Sequence, residues 1–395
     1  MKILIRYYKL YNIATQFLIF IPVLVNIYLI RGISASQALF IEAVYFITIM
    51  IFELPTGYIG DRIGHDKLVV IGLIGTTAGY TLFAFAHNAA LVLLAQVLLG
   101  ISCTCMSGSD LASLSSCMDK NNEKNMISVH KSLYSTGTAS LFAAYLASSF
   151  VININNDGML IFLIMAFVHL CSIVFFLLFY RAKQKLNTSI AEKSDPHSSQ
   201  PSQKSGSTEN TLSYFDLLMC GIMLGVISAV YLISQIFYNN LGVDSYYYGI
   251  IYCVSSILTI IFTKVKWDFN RKALFALPVL FAVPIFNYKI MIVPFIVLLA
   301  YAKALINPFV NNYILSNSKK NKALNVSVSS MINNGINGIL MFSLSGIVYA
   351  LGFTIAMIIF TVISVLIIVY IYHNSSRELK NILNAGIPEE AGGDK

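Results

Sequence analysis

Apolar runs of roughly 20 residues recur along the chain, each long enough to carry a helix across ~30 Å of hydrocarbon. In that solvent every backbone N–H and C=O must find its partner inside the protein, so the repeats restrict the chain to membrane-spanning helices. Composition agrees: of 395 residues 57% are hydrophobic and only 11% charged. The mean hydropathy is +0.73, and so little charge would not cover a soluble surface of this size. About twelve spans are expected, near 10–31, 36–57, 68–86, 90–115, 128–151, 159–180, 213–238, 246–263, 273–287, 290–314, 324–350 and 353–373. The ninth is short and holds Pro278 and Pro284, which kink a helix. The first follows the basic stretch "MKILIRYYK", and its apolar core is longer than the ~7–15 residues of a signal peptide, so it is expected to be retained.

The formal charge is +8, but its distribution speaks for topology rather than for nucleic acid. One alternating set of loops holds nearly all the Lys and Arg, whereas the opposite set holds Arg31 and Lys289. The positive-inside rule then places both termini in the cytoplasm, in an inner (plasma) membrane protein with an even number of spans. Residues 186–212, rich in Ser, Gln and Pro, cannot bury enough apolar surface to fold and read as a flexible linker. The expected plan is an N-terminal six-helix bundle (1–185), that linker, a C-terminal six-helix bundle (213–373) and a cytoplasmic tail (374–395). The six cysteines lie in or beside apolar runs and read as small buried hydrophobes. No metal site or cofactor is expected.

After the second span comes "ELPTGYIGDRIGHDK", residues 53–67. Gly, three residues, Asp-Arg, one residue and Gly, followed by a basic position, resembles the signature loop of the major facilitator superfamily. "ELPTG" and "SGSDLASLSSCMD" at the end of span four are similar to its drug-exporter-like branch, as is "KKNKALNVSVSSMINNG" leading into span eleven. The resemblance implies an all-α fold of twelve transmembrane helices in two six-helix bundles around a central cavity. It also implies alternating access, and a cavity lined by spans one, four, seven and ten. The chain departs from the branch in its basic run (His65-Asp66-Lys67), in Gln96 where many members carry arginine, and in a fifth span without a Gly-Pro antiporter motif.

The loop also has a physical reading. Gly57 and Gly64 let backbone approach closely, and Asp61 can accept unpaired N–H groups at a neighbouring helix N-terminus. The resemblance implies that this helix is span eleven, near Ala323. Arg62 or Lys67 can pair with Asp119, with Glu53 in support. Together they would form a conformational latch between the halves, closed when the cavity faces outward.

A charge inside the membrane costs at least ~2.5–3.5 kcal/mol, so each such residue is a functional candidate. Glu42 and Asp110 are candidates for proton coupling, and Lys303 is expected to pair with one of them across the cavity or to bind an anionic group. His169 reads as a core histidine. Gln16 and Asn26, Gln96, Thr104 and Ser107, Tyr231, Gln235 and Tyr238, and Asn307 are the expected polar and aromatic wall, which suits an amphipathic molecule. The chain holds no phosphate-binding G-x-x-x-x-G-K-[ST], no H-E-x-x-H and no G-x-S-x-G, which disfavours an ATP-driven pump or a hydrolase. The expected protein is not an enzyme. It is a monomeric, proton-coupled exporter of a drug-like or antibiotic molecule, possessing as partners its substrate, protons and the bilayer. Uptake of a small metabolite, or a non-transporting sensor or immunity scaffold, are the alternatives.

Overall fold

The computed structural model describes residues 2–117, 123–154, 157–191, 214–264, 276–317 and 322–374. Asp119, most of the expected linker and nearly all of the tail lie outside these residues.

Among the described residues the structure is helical, with ten helices long and apolar enough to cross a membrane and two shorter apolar helical stretches, Ile21–Ile30 and Ala276–Ile285. Ten and two together match the expected twelve. The first half contains α1 (Lys2–Thr15), α2 (Leu24–Ile30), α3 (Ala35–Ile63), α4 (His65–Phe85), α5 (Ala89–Met106), α6 (Ser109–Ser115), α7 (Glu123–Ile154) and α8 (Met159–Ala191). The second contains α9 (Tyr214–Asn240), α10 (Tyr246–Lys264), α11 (Ala276–Ala282), α12 (Ile292–Asn317), α13 (Lys322–Leu351) and α14 (Phe353–Asn374).

Among the described residues three spans depart from continuous helices. Span one unwinds over 16–20, then forms a 3₁₀ turn at Ile21–Val23 before α2. Pro22 within that turn cannot donate a helical hydrogen bond. Span four breaks between α5 and α6, where Gly108 has φ +72°, a conformation that side chains with a Cβ resist. The ninth span is α11 followed by a 3₁₀ turn at Val283–Ile285 that contains Pro284. These breaks are tolerated because neighbouring helices and side chains take up the freed backbone groups.

Helix ends are capped by side chains. Ser34 and Gln37 form a reciprocal capping box at the start of α3, which satisfies two orphan N–H groups. Arg31 caps the other end of α4: its Nη1 donates to the Phe83 and Ala86 carbonyls at 2.8 and 2.7 Å, and its Nε to Asp157 O at 2.8 Å. A guanidinium suits this place, since its fork serves several carbonyls at the negative end of a helix.

The halves meet along α3 with α13, α7 with α10 and α2 with α9. Close packing there depends on small residues, the general means by which membrane helices associate. A Cβ on Gly249 of α10 would sit 2.1 Å from the Tyr145 carbonyl of α7. At the Lys/Arg-poor end Ser36 and Ser345 exchange hydrogen bonds, Ser36 Oγ to Ser345 O at 2.9 Å and Ser345 Oγ to Ser36 O at 2.8 Å. Asn26 Nδ2 donates to Ser245 Oγ at 2.6 Å across the same end. That end is sealed.

Candidate functional site

A cavity of about 520 Å³ lies against the first half. Its walls come from α1, the unwound stretch of span one, α2, α3, α4, α5, α6 and α8, and the second half contributes Leu232. Both breaks therefore border it. Gln16, Leu18, Phe20 and Ile21 line it from span one, and Ser107 and Asp110 flank Gly108 in span four. Tyr11, Tyr45, Tyr80 and Phe162 give it aromatic faces.

Glu42 sits on its wall, 3% exposed. The Tyr28 hydroxyl donates to Glu42 Oε1 at 2.7 Å, and Gln96 Nε2 donates to the same oxygen at 2.7 Å. Gln96 also donates to the Tyr28 oxygen at 2.7 Å. The triangle gives each member a partner in a site where an unpaired polar group would be costly. Both donors converge on Oε1, so neither of these bonds engages Oε2.

Asp110 accepts the Leu111 N–H at 2.7 Å and faces the Tyr11 hydroxyl. Ser107 donates to Glu53 Oε1 at 3.2 Å, while Glu53 Oε2 is buried and has no hydrogen-bond partner among the described residues. His169 lines the cavity too, its Nδ1 3.0 Å from the Met165 carbonyl and its ring against Tyr80. Among the described residues the lining contains no Lys or Arg.

The expected wall is thus brought together only in part. Gln16, Gln96, Ser107, Glu42 and Asp110 line the cavity. Thr104 is buried and turns its hydroxyl back to the Ile101 carbonyl, while its own carbonyl accepts from Thr56. Asn26 is drawn into the seal by Ser245. Tyr238 is buried among Phe237, Tyr248 and Phe295. Gln235 bonds to the backbone of span one, and Asn307 is half-buried outside the lining.

Lys303 corrects an expectation. It lies outside the cavity lining that holds Glu42 and Asp110. Its ammonium instead meets the Tyr231 hydroxyl and stands 4.2 Å from that ring's centre, a cation–π contact that offsets part of the lost hydration.

The loop between α3 and α4 lies at the Lys/Arg-rich end, and the contacts of Asp61 and Arg62 there are local. Asp61, 75% exposed, is 3.4 Å from His65, and Arg62 stacks on Tyr58 at 4.4 Å. A Cβ on Gly57 or Gly64 would meet nothing within 4 Å, so close approach is not what these glycines serve in this conformation. Gly64 is required by its φ of +95°, since it makes the whole turn from α3 into α4. An ion pair beside it carried no sequence signal. Lys183 of α8 holds Asp66 at 2.8 Å, with Ser113 bonded to both.

Residues 12–268 match the family described as Major Facilitator Superfamily. The chain belongs to the major facilitator superfamily. Solved structures share this facilitator's fold at low identity. The nucleoside transporter NupG aligns with a TM-score of 0.68 at 13% identity, over 93% of this chain and 98% of that one. The POT family transporter PepTSo aligns with a TM-score of 0.71 at 13% identity, over 93% and 96%. The methyl viologen resistance protein SmvA of Salmonella typhimurium (strain LT2) is 31% identical over 97 residues, 24% of this chain. That match spans 19% of SmvA.

Proposed function

We propose that this facilitator is a secondary exporter of an amphipathic, drug-like or antibiotic molecule, peptide antibiotics included, working by alternating access and proton antiport. The observation that carries the reading is the cavity: aromatic walls, two carboxylates on its surface and, among the described residues, no Lys or Arg in its lining. Such walls favour a substrate with flat apolar parts and a basic group, which the ring faces and the acids both attract. Glu42 is the proposed proton carrier, because its Oε2 is free of the two bonds that hold Oε1. Asp110, closer to the Lys/Arg-rich end, is the second exchange point.

On this reading the Lys/Arg-rich end faces the cytoplasm and the protein is a monomer in the inner membrane, with both termini inside. The sealed Lys/Arg-poor end then makes this the inward-facing state. The latch of Asp61, Arg62 and Asp119 would be open in that state, in keeping with the local contacts of Asp61 and Arg62. Export is favoured over uptake by the branch-like motifs of the loop and by the partial likeness to a resistance protein.

The test compares cells with and without the protein against a panel of toxic compounds, including methyl viologen and peptide antibiotics, followed by flux in inverted vesicles under an imposed pH gradient. Protection and gradient-driven accumulation are expected, with both lost in Glu42→Gln. Protection against no compound, or flux indifferent to the gradient, overturns the proposal.

A further inference from the structure

The seal at the Lys/Arg-poor end contains a hydrogen-bond arrangement that the cavity does not explain. In an uninterrupted helix the Val25 N–H would donate to the Ile21 carbonyl, four residues back. Here the side-chain amide of Gln235, from α9 in the other half, stands between them. Its Oε1 accepts the Val25 N–H at 2.8 Å, and its Nε2 donates to the Ile21 carbonyl at 2.9 Å. Nε2 also donates to the Tyr252 hydroxyl at 3.2 Å, and that hydroxyl donates to the Tyr231 carbonyl at 2.8 Å. Gln235 is 1% exposed. A buried amide with both ends matched to one backbone pair is specific in a way that an apolar contact is not.

Ile21 and Leu24, on either side of this junction, line the cavity. We infer that Gln235 is the positioning residue that couples the seal to the cavity: it substitutes for the Ile21–Val25 helical bond while the seal is closed, and lets that bond form directly when α9 withdraws. The inference rests on the alternating-access reading. Its physical content is that opening the seal leaves no orphaned backbone group. An unpaired buried N–H or C=O would otherwise resist opening. The break at 16–20 persists through the change, because Pro22 has no N–H to give the Leu18 carbonyl. The turn beyond it rewinds, and 21–30 moves as one lever carrying Ile21 and Leu24 away from the cavity.

The experiment uses the full chain with Gln235→Met, which keeps the side chain's length and removes its bonds to Val25, Ile21 and Tyr252. Spin labels at His87→Cys and Tyr288→Cys, exposed on the two halves at that end, read the seal by distance in a background without the native cysteines. Hydrogen exchange over 21–27 reads the backbone. The expected result is a roughly fivefold larger open fraction in Gln235→Met, with exchange over 21–27 no faster than in the parent. An unchanged distance distribution overturns the assignment, and so does opening accompanied by faster exchange, which would mean that the bond is lost rather than handed over. The parent protein separates the two levels of argument. If its labels never move with substrate or pH, alternating access itself fails. If they move and Gln235→Met behaves like the parent, only the role of Gln235 falls.

Discussion

Lys183 holds Asp66 at 2.8 Å while Ser113 bonds to both, and the lysine is 8% exposed. Breaking a buried pair by removing one member strands the other charge, at a cost of about 3 kcal/mol. Lys183→Met is therefore expected to lower thermal stability by that amount. The double variant Asp66→Leu with Lys183→Met should recover most of it, since neither charge is then left alone. Denaturation of the purified protein in detergent measures both. Neither residue showed its partner beforehand, because 117 residues separate them and a lysine at a membrane exit ordinarily signals topology. Glu42 was legible for the opposite reason, as an acid inside an apolar run has few neutral explanations. Its holder Tyr28 was not, because a tyrosine near a membrane surface is commonplace. For Tyr28→Phe the expected outcome is a milder loss of gradient-driven flux than in Glu42→Gln, because Gln96 still holds the carboxylate. Equal losses in vesicles would contradict the triangle's order of importance.

At the scale of elements, the apolar runs announced about twelve spans, of which ten are long helices and two are shorter, while the breaks in spans one and four stayed hidden. Gly and Pro occur in membrane helices without breaking them, so Pro22 and Gly108 did not identify themselves as unwinding points. Their effect follows from where the freed groups find partners: the Gln235 amide for span one, and the turn of α6 with Asp110 for span four. Gly108→Ala tests the second. Forcing a Cβ into φ +72° costs on the order of 1–2 kcal/mol, and straightening the span would swing Asp110 off the cavity wall. The expected outcome is a small drop in melting temperature with a disproportionate loss of transport. A proportionate loss would mean that the break serves packing alone.

At the scale of the molecule, the two ends differ in what holds them. The Lys/Arg-poor end is sealed by Ser36 with Ser345, Asn26 with Ser245 and the tight approach of Gly249 to α7. The other end offers Asp61, 75% exposed, for the proposed latch. The helical membrane fold was readable from the apolar runs, because hydropathy is written locally. The contacts between halves were not, because small residues such as Gly249 take meaning only from what they face. If seal and latch stabilise opposite states, weakening either moves the same equilibrium in opposite directions. Gly249→Ala places a Cβ 2.1 Å from the Tyr145 carbonyl and should open the seal. Asp61→Asn removes the charge that would close the latch, and should deepen the sealed state. Each shift of ~1 kcal/mol changes the ratio of states about fivefold, so two of similar size nearly cancel. In spin-label distances at the Lys/Arg-poor end, the double variant should therefore lie closer to the parent than either single variant does. A double variant that merely matches Gly249→Ala would show that Asp61 does not take part in the equilibrium, and the latch would have to be withdrawn.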